Sequence, residues 1–215
     1  MEEQIMNMPA VALRGLTILP GMIAHFDISR ERSLRAVEEA MEQDQKIYLV
    51  TQRNVDSEDP TQEDLYQMGI VADIKQVVRL QNDVVRILVD GISRAALLGF
   101  TGNEKYLEAE ICYCDSNADS LPEDLREAML LGVREAFHRY AAVVGKISKE
   151  LIRQIDQYED LEKLIDYVTN NLPVSYELKQ QVLEAEDIND RYQVIVSLLL
   201  SQEEVISIKN ELQKK

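Results

Sequence analysis

The chain is predicted to be an α+β protein: a small β-rich pseudo-barrel with one helix, then an all-α bundle that runs into the start of a long helix. Three observations carry this. Over the first half, apolar residues alternate or form short β-branched runs. From residue 119 they recur at helical spacing. Only the short stretch "DSNADS" separates the two regimes. The expected divisions are residues 1–118 for the β-rich domain, 119–204 for the bundle and 205–215 for the start of the long helix, with no internal repeat.

The first strand is "PAVAL", which alternates and ends at Arg14-Gly15. Pro20-Gly21 then interrupts two apolar segments. Proline fixes φ near about −65° and glycine allows positive φ, as a type II turn requires of its central pair. "MIAHFDI" places Met22, Ala24, Phe26 and Ile28 on one face and Ile23, His25 and Asp27 on the other. Ser29 is the expected cap of a helix whose stripe is Leu34, Val37 and Met41, with Glu38, Glu39 and Glu42 outside. "KIYLVTQ" reads as a β-branched and aromatic strand. "NVDSEDPTQEDLYQ" is an acidic loop with one helical turn after Thr61. "GIVADIKQVVRL" and "VVRILVDG" flank "QND" as a hairpin, and "ISRAALLGF" and "YLEAEICYC" continue the sheet around a turn at Gly102-Asn103. Short strands with close turn signals suggest a closed or half-closed barrel, which also removes exposed edges.

In the second half, "SLPE" from Ser120 to Glu123 matches a capping box with proline just inside the helix. Leu125, Met129, Ala136, Phe137 and Tyr140 follow, and Gly145 can end that helix. Ser148 opens the next, with Leu151, Ile152 and Ile155 apolar. Leu161, Leu164, Ile165, Val168 and Leu172 form a third stripe that Pro173 stops, and Ser175 can cap "YELKQQVLEA". Ile188, Tyr192, Ile195, Leu199 and Ile206 recur to the end without a stop signal, the pattern of a chain cut from something longer.

Composition restricts function. The formal charge is −16; residues 1–118 carry 11 basic and 20 acidic groups and the remainder 12 and 19, so neither half hides a compensating basic face. Nucleic acid and anionic membranes call for clustered cations, so neither is an expected partner. No apolar run approaches the roughly 18 residues of a membrane span, and the acidic start is unlike a secretory signal. Two cysteines in "CYC" cannot staple a fold, and the expected compartment is the reducing cytoplasm.

Catalytic signatures are missing from the sequence. There is no G-x-x-x-x-G-K-[S/T], G-x-G-x-x-G, G-x-S-x-G or H-E-x-x-H. His25 and His138 fall in different halves, and Cys112 and Cys114 lack the histidines that would complete a tetrahedral metal site. Carboxylate runs such as Asp56-Glu58-Asp59 read as solvated loops. No cofactor, metal or catalytic residue is expected, and the chain reads as a binding or assembly module.

The opening "ALRGLTILPGMIAHFDISRERSLRAVEEA" resembles the start of the amino-terminal domain of the Lon family of ATP-dependent serine proteases. Leu13, Arg14, Pro20, Gly21, Arg30, Ser33, Ala36 and Glu39 fit its P-L-R, P-G and G-R-x-x-S pattern. "MGIVADIKQVVRLQNDVVRILVDGISRAAL" is similar to the family's second signature through Gly69, Ala72, Ile74, Arg86, Leu88, Val89, Gly91 and Arg94. "LPVSYELKQQVLEAEDINDRYQVIVSLLLSQEEV" occupies the matching place in the helical half, so the likeness covers essentially the whole chain. Ala12 departs from the pattern, since the family more often has a second proline there.

The resemblance implies a fragment cut inside the helix leading to an ATPase module and a Ser-Lys protease domain. ATP and magnesium belong to that absent ATPase module. It also implies a role in engaging unfolded or damaged proteins and in assembling a hexamer. The candidate contacts for such substrates are Leu19, Pro20, Met22 and Ile23 around the Pro-Gly corner, with Met68 beside them; Ile23 is expected on the outer face. Tyr192, Ile195, Leu199 and Ile206 are the candidate self-association stripe of an otherwise monomeric or weakly dimeric chain. A purely architectural module, an RNA-binding barrel and a self-sufficient enzyme are the competing readings.

Overall fold

The computed structural model describes residues 4–214, and the chain divides into two compact units between Cys114 and Asp115. The division falls ahead of the expected 118/119 boundary, because the loop after Cys114 hydrogen-bonds with the helices: Ile188 N donates to Ser116 O at 2.8 Å.

The first unit contains strands β1 (Ile5–Leu13), β2 (Ile23–Ile28), β3 (Lys46–Thr51), β4 (Met68–Arg79), β5 (Val85–Phe100) and β6 (Glu108–Tyr113), with helix α1 (Glu31–Glu42) after β2. The sheet order is β2-β5-β4-β3-β1-β6, and a further β5–β6 pairing closes a ring that leaves β2 outside it. β5 can serve three neighbours because it is 16 residues long: its first part pairs with β2 and its last part with β6. Register shifts at Leu97/Gly99 and in the β4–β5 ladder bend the sheet into this closure. The β4–β5 hairpin turns through Asn82 and Asp83, both at φ near 60° (60° and 58°), the left-handed pair that the twist of a tight hairpin favours.

β1 and β3 are parallel neighbours, and the connection between them carries β2 and α1. From Met8 in β1 and Ile47 in β3 onward they are covered on both faces, which corrects the alternation read for "PAVAL". Val11, Leu13, Ile47 and Leu49 join the core under α1. Ala10, Ala12, Tyr48 and Val50 join a second core, closed by Ala95, Leu97, Ala109 and Ile111. Small side chains let α1 lie close to the sheet: Ser33, Ala36, Val37 and Ala40 are its buried set, while Met41, expected on the stripe, is exposed. Ser29 does not cap this helix. Arg30 occupies the N-cap position without a side-chain cap.

The Pro-Gly corner is a β-turn pinned to β5. Met22 N donates to Leu19 O at 3.1 Å, and Gly21 has φ +77°. Gly21 N then donates to Gly91 O at 2.8 Å, and Gly91 N donates to Met22 O at 2.9 Å. A Cβ on Gly91 would lie 2.4 Å from Leu19 O and 2.9 Å from Ile70 Cδ1, so the backbones approach as closely as they do only because β5 is bare here.

The second unit consists of α2 (Glu123–Val144), α3 (Lys149–Gln157), α4 (Leu161–Asn171), α5 (Tyr176–Glu184) and α6 (Ile188–Gln213). Gly145 ends α2 in the left-handed conformation, and the side chains of Ser148, Asp160 and Asp187 cap α3, α4 and α6. Ser120 is not part of a capping box, because its hydroxyl donates to Asn117 O at 2.7 Å and Pro122 takes the N-cap position of α2. Ser175 is the N-cap of α5, but its side chain accepts no cap hydrogen bond. Leu125 faces solvent rather than the core. Arg191, 2% exposed, joins α5 to α6: it donates to the carbonyls of Ala185 (3.1 Å) and Glu186 (3.0 Å) and to Glu162 Oε1 (3.1 Å).

Gly91→Ala is expected to destabilise the β-rich unit by about 1–3 kcal/mol, because overpacking must push backbone apart. Gly99→Ala on the same strand meets only an ordinary 3.7 Å contact with Gln62 Oε1 and should stay within about 0.5 kcal/mol of the parent. Equilibrium denaturant unfolding of the two variants checks this, and equal effects would contradict it.

Candidate functional site

The corner aims β2. Its inner side chains, Ala24, Phe26 and Ile28, pack toward the core under α1, while Ile23, His25 and Asp27 face out. Opposite them on β5 stand Asp90, Leu88 and Arg86, and on β4 the matching positions are Asp73, Gln76 and Val78. Ile23 is 67% exposed, with Val78 and Ile92 also solvent-facing and Leu88 half-buried. The result is an apolar surface edged by charge: Lys46 Nζ donates to Asp73 at 2.9 Å, and Arg86 grips Asp27 by Nε at 2.7 Å and Nη2 at 3.0 Å. This two-pronged cross-strand pair holds the Asp27 carboxyl below the usual carboxylate range, chiefly through the hydrogen bond from Arg86.

The structure separates the five residues read as substrate contacts. Ile23 lies outside, and Pro20 and Met22 are half-buried at the corner. Leu19 and Met68 are withdrawn from the set, because both are core side chains, at 0% and 1% exposure. Leu19 is carried inward by the turn that Gly91 accepts, and Met68 lies within 3.6 Å of Cys114 Sγ. The self-association stripe is corrected in the same way. Ile195 and Leu199 are fully buried in the helical unit, and Tyr192 lies on Gly132, whose added Cβ would strike its hydroxyl. Tyr192 and Ile206 of that set are half-buried, and the exposed apolar residues of α6 are instead Leu200, Val205, Ile208 and Leu212.

His138 Nε2 and Asp156 Oδ1 are 2.7 Å apart between α2 and α3, and His25 is on the open face of β2. Cys112 and Cys114 are free and half-buried, and no group of three metal-ligating side chains occurs among the described residues. The feature that sequence reasoning missed is a cleft of about 230 Å3 between β1 and β2, where Arg14 and Arg30 gather with Ser29 and Ser33 of the α1 start. Its only sequence signal was the run of arginines after Ser29.

Residues 7–201 match the family model of the ATP-dependent protease La (LON) substrate-binding domain. The Lon protease of Lachnoclostridium phytofermentans is 36% identical over 215 residues, covering 100% of this chain and 27% of the relative. Lon protease 1 of Bacillus subtilis is 30% identical over 98% of this chain and 27% of its own length. The chain thus spans about a quarter of the relatives it matches. Among solved structures, the N-terminal domain of the Mycobacterium avium complex Lon protease shares the fold, with a TM-score of 0.73 at 18% identity over 90% of this chain and 98% of that one.

The Asp27–Arg86 pair gives a pH signature. A carboxyl held low in the folded state contributes stability above the unfolded carboxylate range and loses it as pH falls through the folded midpoint. The Asp27 carboxyl, followed by NMR, should therefore titrate below the ordinary aspartate midpoint, and Arg86→Gln should return it upward. An unchanged midpoint in that variant would rule out the pair as the cause.

Proposed function

Because the chain belongs to the Lon substrate-binding domain family, we propose that its β-rich unit captures unfolded or damaged polypeptides on the face around Ile23 and passes them to catalytic machinery outside this chain. One observation carries the reading: a large aliphatic side chain, 67% exposed, stands on a strand whose position is set by backbone hydrogen bonds. Unfolded chains differ from folded ones in displaying apolar groups. A rigid apolar surface captures them without an ordering cost on its own side. The surplus acidic charge keeps such a surface soluble.

In the same reading the whole protein is an ATP-dependent serine endopeptidase with a Ser-Lys dyad, an ATPase module that binds ATP and magnesium, and a hexameric assembly in the cytoplasm. Nucleic acid and membrane are not partners of this region. An assembly role sits beside capture. Val205, Ile208 and Leu212 recur at helical spacing on the far half of α6 and are exposed, so subunit contacts belong there and not on the buried Ile195 and Leu199.

Ile23→Glu tests capture. With its side chain in solvent, the variant should keep its thermal stability within about 0.5 kcal/mol. Its affinity for a reduced, denatured fluorescent protein should fall about tenfold or more, the scale of losing one buried aliphatic contact. Leu131→Glu, at an exposed apolar position on α2, is the control and should bind as the parent does. A folded Ile23→Glu protein with unchanged binding would place capture elsewhere.

A further inference from the structure

Beside the closed ring of strands lies an open seam. Among the described residues β2 is paired with β5 alone, as the end strand of the sheet. Met22 O accepts from Gly91 N, so the main-chain groups of Met22, Ala24, Phe26 and Ile28 turn toward β5. Alternation along the strand then turns those of Ile23, His25 and Asp27 the other way, into the seam. On the far side stands β1. Ala10 N donates to Leu107 O at 2.8 Å, away from β3, so two residues on the Ala12 peptide also faces away from β3. Its carbonyl is taken by a side chain: Arg30 Nη2 donates to Ala12 O at 2.8 Å. An arginine thus stands where a strand would complete the sheet.

The cleft of about 230 Å3 occupies this seam at the Asp27 end of β2, with Leu16 and Phe26 among its apolar lining. Its polar end favours an anion. The first bond within α1 is Leu34 N to Arg30 O, and no side chain caps the amides that precede it. Ser33 is 6% exposed and lines the cleft, and its hydroxyl makes no hydrogen bond among the described residues. Burial, and then the charge of Arg14, hold the Arg30 guanidinium below the usual arginine range, while the carboxylates of Glu58 and Asp59 oppose the shift. Glu58 offsets it weakly, at 3.7 Å from Arg14 and largely in solvent.

We propose that the seam takes an extended polypeptide segment, which adds to the free edge of β2 through the main chain of Ile23, His25 and Asp27 and sets an aspartate or glutamate side chain against Arg30 and Ser33. This rests on the capture reading above and specifies how capture works. The occupant follows from what is missing. An unpaired strand edge is satisfied by another strand, the cleft admits side chains but no folded element, and its cationic end complements a carboxylate. An unfolded substrate offers unpaired backbone groups that a folded protein does not, so edge addition itself discriminates between them. Ile23, facing out beside the added strand, then contacts its alternate side chains.

The test uses this chain and a fluorescein-labelled peptide of about ten residues, alternating valine and serine with one central glutamate. Two derivatives carry N-methyl groups, one on the odd and one on the even amides. Fluorescence anisotropy should show one set weakened about tenfold, for two lost main-chain hydrogen bonds, and the other by less than about twofold. Replacing the glutamate by glutamine should weaken binding about threefold or more. Equal effects of the two methylated sets overturn edge addition, and an unaffected glutamine peptide overturns the carboxylate contact. If the parent peptide fails to bind while a reduced, denatured protein still does, the seam proposal falls and capture stands; if neither binds, both fall.

Discussion

The β-rich unit depends on a backbone contact that no side chain could mediate. The Leu19–Met22 turn rests on β5 at Gly91, with main-chain hydrogen bonds of 2.8 and 2.9 Å on either side of a residue that has no room for a Cβ. This contact decides where β2 begins, and hence which of its side chains face in. It also explains the apolar flanks of the corner: Leu19 is driven into the core, Ile23 is left out, and Met22 lies between. A one-residue slip would exchange Ile23 for Ala24 and bury Asp27 without its Arg86 partner, so register and surface chemistry are a single choice.

Having spent the pairing capacity of β5 on β2, β4 and β6, the sheet has no strand to lay between β2 and β1. The seam is bridged by Arg30, and the charge that makes this costly is the same charge that would receive an acidic ligand. On a chain of net charge −16, a cationic recess is a local exception that composition hides. The outer face of β2 is different. There Asp27 and Arg86 neutralise each other across strands and leave Ile23 as the principal apolar feature.

Much of this was legible in the sequence, and the failures have physical causes. The in-out alternation of "MIAHFDI", the turn at Pro20-Gly21 and the hairpin at "QND" are local and were readable, because periodicity and turn chemistry act within a few residues. Leu19 and Met68 are core instead, because their burial is set by partners distant in the chain: β5 at Gly91 for Leu19, and Ala96 and Cys114 for Met68. The α6 stripe was similarly visible as a stripe, yet the partner that buries Ile195 and Leu199 is supplied by a different helix. Ser29 and Ser120 satisfy capping patterns that the chain does not use: Arg30 takes the first position, and Ser120 is engaged with Asn117. The seam was invisible because it consists of an absent strand, and only the ring topology discloses it.

The central claim, that β2 offers a free edge to unfolded polypeptide, is most directly tested by residue-resolved amide hydrogen exchange along β2. In the free protein the amides of Ile23, His25 and Asp27 should exchange rapidly, and those of Ala24, Phe26 and Ile28 should be protected by β5. With a saturating reduced, denatured protein present, the first three should become protected while the others hold. Uniform protection in the free state, or no change at Ile23, His25 and Asp27 on binding, would contradict it.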